Sequence, residues 1–137
     1  MKFTSTILAL LLSLGAVFAQ GQLELTVNDI NIDKGKIMVA IYNSNKSFLK
    51  HPFKIEKKES DDESVTLSFS NLPEGFYAIS IYQDNNEDNE LNIGRFGPKE
   101  PHGFSNNLDI KFTDVKFSEA KFKVIPYETS TQSISLK

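Results

Sequence analysis

The stretch of this chain best suited to chemistry is rich in carboxylate and amide side chains and spans residues 84–92. Oxygen-bearing side chains recur at every second position, at Asp84, Asn86, Asp88, Glu90 and Asn92. A hard cation such as calcium takes about six to eight oxygen ligands in a small volume, and a tightly curled loop with oxygens at alternate positions can supply them. The spacing therefore predicts a calcium site formed by these five residues.

Compared with an EF-hand loop, this stretch lacks the carboxylate that closes the site. Arg95 occupies the position where an EF-hand loop has its closing bidentate glutamate. Either that carboxylate comes from elsewhere in the chain, with Glu100 as one candidate, or the site is weak. Glu90 would contribute only its backbone carbonyl, and Asn89 falls where the loop requires a left-handed residue. The alternative is an Asp/Asn-rich turn held by its own hydrogen bonds, without an ion.

A second candidate site lies at His102 and the run Phe104, Ser105, Asn106 and Asn107. One interpretation is a polar ligand site beside the acidic stretch, with Phe104 as its aromatic floor. The other is structural: Phe104 belongs to the core, while Ser105 and Asn106 satisfy buried backbone groups of a long connection. The sequence leaves both interpretations open.

No set of catalytic residues is visible in the sequence. The two histidines, His51 and His102, are isolated from any third metal ligand, and the absence of cysteine excludes a catalytic thiol or a zinc–thiolate site. Nucleophile elbows, phosphate loops and metalloprotease motifs are also absent from the sequence. We therefore predict a protein that is not an enzyme and has no cofactor other than calcium at residues 84–92.

The first 19 residues have the pattern of a secretory signal peptide. Lys2 supplies the positive end, residues 7–14 form an apolar run, and Val17-Phe18-Ala19 resembles a cleavage site. The apolar run is shorter than the about 20 residues that a membrane-spanning helix needs. We predict a signal peptide at residues 1–19 and one domain at 20–137, exported to the periplasm or the extracellular medium, with no membrane span after cleavage.

The charge of the chain limits its partners. A formal net charge of −3 provides no general attraction to nucleic acid or to an anionic membrane surface. We therefore expect the partner to be an unidentified ligand or protein and not a nucleic acid.

Apolar and polar residues alternate along most of the chain, as in strands that bury one face. Seven strands are expected, with an eighth short pairing near residues 110–112 and a helical turn at 44–49. One long Asp/Asn-rich connection runs from residue 83 to 108. Phe53 and Ile55 are expected on a half-buried strand. The pattern predicts an all-β fold, a single antiparallel sandwich of about seven strands. The expected core includes Val39, Ile41, Leu67, Phe69, Ile79, Ile81, Phe122 and Val124.

Three stretches of the chain resemble a known family. They are residues 35–48, which begin Gly-Lys-Ile-Met-Val-Ala-Ile-Tyr, residues 69–84 with Leu-Pro-Glu-Gly-Phe-Tyr, and the acidic loop that leads into Gly-Phe-Ser-Asn-Asn at 103–107. Together they resemble the secreted bacterial family called domain of unknown function 2141. This resemblance implies an extracytoplasmic immunoglobulin-like or prealbumin-like sandwich and no established activity. The acidic loop departs from the family pattern, because Glu87 and Asn89 replace glycines.

These observations lead to one functional hypothesis and two alternatives. The hypothesis is an exported, non-catalytic binding or structural module that presents residues 84–107 to a ligand. The first alternative is a small secreted hydrolase that uses the loop carboxylates and His102. The second is an adhesion or assembly module that acts through exposed sheet edges.

Overall fold

The computed structural model describes residues 19–137, which form two packed sheets and a small hairpin. The predicted signal peptide, residues 1–19, lies outside the described residues except for Ala19. The described residues also contain two short helical segments. These are a 3-10 turn at Ser105–Asn107 and a single α-helical turn, α1, at Phe117–Ala120. The strands are Gln20–Asn28 (β1), Lys36–Tyr42 (β2), Lys54–Glu59 (β3), Val65–Pro73 (β4), Gly75–Asp84 (β5), Ile93–Gly94 (β6), Gly97–Pro98 (β7), His102–Phe104 (β8), Phe122–Val124 (β9) and Thr129–Ser135 (β10).

The strands are arranged as an all-β sandwich, as predicted. The first sheet has the order β10-β1-β4, and the second has the order β3-β2-β5-β8, with β9 also paired to β5. The pairs are antiparallel except for β1 and β10, which run parallel from Gln22 opposite Thr129 to Asn28 opposite Ser135. The parallel pair arises because the chain changes sheets between β9 and β10, so the last strand enters beside the first.

The core lies between the inner faces of the two sheets, where the alternation of the sequence directs the aliphatic side chains. Val39 and Ile79 are completely buried, and Ile81 is 1 % exposed. The predicted core residues are confirmed with one correction. Phe122 is only partly buried and packs against the margin of the core, whereas Val124 on the same strand is fully buried. The three-residue strand β9 reaches the core with its last residue only.

Strand β3 differs from the prediction, because all six of its residues are exposed. It pairs with β2 alone and forms an edge of the second sheet. Phe53 is 45 % exposed and Ile55 is 57 % exposed, so the expected half-buried face was wrong. The predicted pairing near residues 110–112 is also wrong, since this segment forms a turn.

A second apolar cluster covers the outer face of the second sheet. Its buried members are Tyr42, Phe48, Ala78, Phe104, Phe117 and Ala120. The predicted helical turn near Ser44 contributes Phe48: the Ser44 Oγ accepts the backbone N–H of Ser47 at 3.2 Å, although the segment forms turns and not a regular helix. Strand β5 is therefore buried on both faces. Burial of this kind gives the loop that follows β5 a rigid support.

The difference in burial between Ile79 and Phe122 gives a stability prediction. Ile79→Ala removes a completely buried side chain and should lower the free energy of unfolding by about 2–5 kcal/mol. Phe122→Ala should cost less, although phenylalanine is larger, because the ring already contacts water. Urea denaturation of both variants measures the two values. A larger loss for Phe122→Ala than for Ile79→Ala would contradict the assigned position of β9.

Candidate metal centre

Asp84 is the last residue of β5 and is only 1 % exposed. Its backbone is held by a close approach of Gly35, whose φ of 64° and lack of a side chain are both needed there: a Cβ at this position would collide with the Asp84 carbonyl oxygen. The buried amide of Gln83 donates to the carbonyl oxygens of Asn31 at 2.6 Å and Lys34 at 2.7 Å. These contacts join the turn before β2 to β5 and fix where the Asp84 side chain begins.

The Asp84 carboxylate curls the loop around itself. Its Oδ1 accepts the backbone N–H of Asp88 at 3.2 Å, and its Oδ2 accepts that of Asn89 at 2.8 Å. Glu87 and Asn89 have φ values of 55° and 63°, in the left-handed region. This confirms the left-handed backbone predicted at Asn89. Glu87 also has a left-handed backbone, despite its longer side chain, because the hydrogen bonds to Asp84 fix the path of Asp88 and Asn89, which follow it.

Glu100 brings a second buried carboxylate to the same place from a different part of the chain. It is 6 % exposed, and its Oε1 and Oε2 accept the backbone N–H groups of Asn85 and Asn92, each at 3.1 Å. Asn85 and Asn92 stand at the two ends of the loop. The Glu100 side chain therefore closes the loop, and the β6–β7 hairpin carries the chain from Asn92 back to Glu100.

Three carboxylates converge at this point. One oxygen each of Asp84, Asp88 and Glu100 lies within 4.8 Å of the others. Two oxygens bound to one calcium ion, each about 2.3–2.6 Å from it, can be that far apart. Within residues 19–137, no lysine, arginine or histidine nitrogen lies within 4.0 Å of these carboxylates. A divalent cation between them would supply the positive charge that no described side chain brings within this distance.

The amides of Asn86 and Asn92 surround the exposed Asp88 carboxylate. Their Nδ2 atoms donate to Asp88 Oδ2 at 3.1 and 2.9 Å. Rotation of either amide by about half a turn would exchange its nitrogen and oxygen, which would turn a neutral oxygen toward the carboxylate group. Glu90 is exposed and its carboxylate lies outside the group of three, although its backbone N–H donates to Asp88 Oδ1 at 3.0 Å.

Hydrogen bonding stabilises the ionised form of Asp88. The side-chain bond from Asn92, followed by the backbone bond from Glu90, lowers the pKa of Asp88. Burial, followed by the charges of Asp84 and Glu100, raises the pKa of Tyr82 to about 12. At neutral pH, Asp88 is therefore anionic, whereas Tyr82 keeps its proton and adds no charge.

At the second predicted site, Phe104 and Ser105 serve the fold. Phe104 is 2 % exposed and packs in the outer apolar cluster. Ser105 is completely buried: its hydroxyl accepts the backbone N–H of Ile79 at 2.9 Å and donates to the Ala120 carbonyl oxygen. These contacts are those of the structural interpretation, in which a serine satisfies backbone groups at the edge of a sheet.

Asn106 and Asn107 are also engaged with the backbone. The Asn106 amide donates to the carbonyl oxygens of Glu119 at 2.9 Å and Lys121 at 3.0 Å, and Asn107 Oδ1 accepts the Ser135 N–H at 3.0 Å. Both asparagines have positive φ, at 60° and 49°. They join the turn after β8 to α1 and to β10. A polar ligand site at these residues stays a prediction, and their contacts favour the structural role.

His102 stands apart from the carboxylate group. Its ring Nδ1 lies 3.2 Å from the backbone carbonyl oxygen of Glu100, and its ring packs against Phe104 and Phe112, with centroids 6.2 and 6.1 Å away. The three converging carboxylates include no histidine partner. A general base oriented by a carboxylate, which the hydrolase alternative needs, is not formed by His102 and these residues.

The hydrogen bonds to Asp88 give a prediction about pH. The Asp88 carboxyl should titrate below the ordinary aspartate range, and Asn92→Ala should raise its midpoint, because that variant removes the largest stabilising contact of the anion. Carbon-detected NMR of the carboxyl group measures both midpoints. Asn85→Ala is the control, since its side chain makes no bond to Asp88. Because the pKa of Asp88 is lower in the folded protein than in the unfolded chain, the ionised carboxylate stabilises the fold at pH values above the unfolded-state pKa. This stabilisation is lost as the pH falls through the folded-state pKa.

Comparison with known proteins gives a family and no further relative. No curated protein matches the chain, and no solved structure matches it. The family model described as "Uncharacterized protein conserved in bacteria (DUF2141)" matches residues 25–132. This match includes strands of both sheets, the whole acidic loop and Glu100. The chain therefore belongs to the DUF2141 family of bacterial proteins, as the resemblance of its sequence predicts.

Proposed function

We propose that this protein is an exported, non-catalytic β-sandwich module that binds calcium through Asp84, Asp88 and Glu100. The convergence of these three carboxylates, two of them buried, is the observation that carries the proposal. Burying a carboxylate without a compensating charge is costly, and a bound cation compensates several at once. Asn86 and Asn92 would add neutral oxygens, and solvent would complete the coordination of the ion.

We expect a weak site. The group holds three carboxylates, of which the loop supplies Asp84 and Asp88 only. Glu90 lies outside the group, and Arg95 occupies the place of the EF-hand glutamate. Lys57 donates to Asn89 Oδ1 at 2.9 Å and brings a positive charge to the loop. These features support a dissociation constant toward the extracellular end of the range, about 10⁻⁴–10⁻³ M. Such a site would be filled in a calcium-rich medium outside the cytoplasm.

The proposed location rests on the N-terminal sequence. Lys2, the apolar run at 7–14 and the small residue Ala19 support cleavage by a signal peptidase and release to the periplasm or the extracellular medium. In the described part of the chain, no helix combines the length and the apolar character that crossing a membrane would require.

The two alternatives receive less support from the geometry. The hydrolase would need His102 near a carboxylate, and its ring Nδ1 instead faces a backbone carbonyl oxygen. The exposed edge strand β3 has the sequence Lys-Ile-Glu-Lys-Lys-Glu. Assembly through this edge would bring exposed charges together, and charged side chains on an edge strand oppose pairing with another strand. A binding module that uses the acidic loop is therefore the function we propose.

Calcium should stabilise the protein by mass action. At a free concentration about ten times the dissociation constant, binding should add about 1.4 kcal/mol to the free energy of unfolding. The Tm should then rise by roughly 3–8 °C. Differential scanning calorimetry and ¹H–¹⁵N NMR of residues 84–92 measure the two effects, with magnesium as a control for nonspecific screening. Unchanged Tm and unchanged loop shifts in millimolar calcium would reject the proposal.

Single substitutions should separate the ligands from their neighbours. Asp88→Asn and Glu100→Gln each remove one negative charge from the group and should weaken calcium binding by about tenfold or more. Glu90→Gln removes the same charge from the loop but outside the group, and should change the affinity less than about threefold. Calorimetric titration measures all three. Asp88 is exposed, so Asp88→Asn tests the site without disturbing the core. Equal losses for Glu90→Gln and Asp88→Asn would indicate nonspecific attraction.

A further inference from the structure

A cationic and aromatic pocket lies beside the β6–β7 hairpin. Its volume is about 500 Å³, and the hairpin forms one wall while the turn at residues 111–113 forms the other. The residues that matter for its chemistry are Arg95, Phe96, His102, Lys111 and Phe112. None of them belongs to the group of three carboxylates.

The positive charges of the pocket have no carboxylate partner in the described part of the chain. Arg95 and Lys111 are both exposed, and neither forms an ion pair within 4.0 Å among residues 19–137. The protein as a whole is negative, with a formal net charge of −3. Two cationic side chains that face one cavity on an acidic protein create a local potential that attracts anions.

The two phenylalanines of the pocket differ in their exposure. Phe96 stands at the tip of the hairpin and is 98 % exposed, so its ring contributes almost nothing to the core. The Arg95 guanidinium lies 5.8 Å from the centre of the Phe96 ring. Phe112 is half-buried and packs edge-on against His102, with the centroids 6.1 Å apart. A flat apolar group that entered between the rings would remove both from water.

The hairpin has a defined base, which makes the pocket a formed feature. The Lys99 N–H donates to the Asn92 carbonyl oxygen at 2.8 Å, and the Glu100 carboxylate accepts the Asn92 N–H at 3.1 Å. The Lys99 side chain packs over Gly94, where a Cβ would meet its Cε at 2.8 Å. Arg95 and Phe96 are therefore presented from a short two-strand segment whose ends are tied to the domain.

We propose that this pocket binds an organic carboxylate with an aromatic body. The planar Arg95 guanidinium can donate two hydrogen bonds to a carboxylate, and Lys111 adds a second positive charge opposite it. Phe96 and Phe112 contact the two sides of the aromatic body. This site goes beyond the proposed calcium centre and uses different side chains, so either can exist without the other.

The test uses 2-naphthoate as the probe and ¹H–¹⁵N NMR of the protein as the readout. Saturable shifts should appear at residues 95–97 and 111–113, with a dissociation constant of about 1 mM for a ligand of this size. The neutral analogue 2-naphthalenemethanol should bind at least about fivefold more weakly, because it cannot accept paired hydrogen bonds from the guanidinium. Equal binding of the neutral analogue would overturn the assignment of a carboxylate.

Charge-matched variants decide whether the pocket is the site. The double variant Arg95→Gln with Lys111→Gln should weaken 2-naphthoate binding by about tenfold. The control, Lys46→Gln with Lys123→Gln, removes two positive charges from exposed positions elsewhere and should change it less than about twofold. Phe96→Ala should also weaken 2-naphthoate binding. Because the Phe96 side chain is 98 % exposed, this loss would not result from unfolding of the protein. Equal effects of the two double variants would overturn the proposal.

The titration is repeated with EDTA and with about 5 mM calcium, which exceeds the dissociation constant of about 10⁻⁴–10⁻³ M expected for a weak extracellular site. If 2-naphthoate binds in either condition, and if the binding is weakened in the Arg95→Gln with Lys111→Gln variant, the result supports the pocket. Absence of saturable shifts in both conditions overturns it. Calcium binding at the acidic loop is recorded separately at residues 84–92, so failure of the metal proposal is distinguishable from failure of the carboxylate pocket.

Discussion

The organisation of the long connection after β5 depends on the requirement that a buried carboxylate be given hydrogen-bond donors. Asp84 and Glu100 are both buried, and each carboxylate oxygen accepts a backbone N–H group of the acidic loop. Since the donors come from both ends and from the middle of the loop, the two side chains dictate its curled path. The arrangement that shapes the loop also brings negative charges together, and this convergence is the basis of the proposed cation site.

The sandwich supplies this loop with a rigid origin. Strand β5 is central in its sheet, with aliphatic residues on its inner face and an aromatic cluster on its outer face. Gly35 and Gln83 then fix the exit of the strand from two sides. On the outer face, the segment after β8 is held by the buried Ser105 hydroxyl and by Asn106. Ser105 and Asn106, which are also predicted ligand contacts, thus tie the turn after β8 to β5 and to the segment around α1.

The β6–β7 hairpin adjoins two regions of opposite charge. Glu100, which accepts a hydrogen bond at its base, belongs to the group of three carboxylates, whereas Arg95 at its tip lines the pocket with Lys111. The base itself is held by Glu100, so the two regions share a support without sharing ligands. The domain in this way carries two chemically distinct regions close together. The proposed calcium ion would offset two of the three negative charges of the acidic group and so reduce its field beside the cationic pocket.

The sequence by itself determined the all-β class, the two-sheet core and the acidic stretch, because alternation of side chains and spacing of oxygens are local properties. It also indicated the left-handed Asn89 and Glu100 as a candidate for the missing carboxylate. Only the tertiary structure decided that Glu100 enters the group and Glu90 does not, that β10 runs parallel to β1, and that β3 is an exposed edge. The same is true of the backbone contacts of Ser105 and Asn106, for which the sequence left two interpretations open. Each depends on contacts between residues distant in the chain, and short-range pattern carries no information about which distant segments become neighbours.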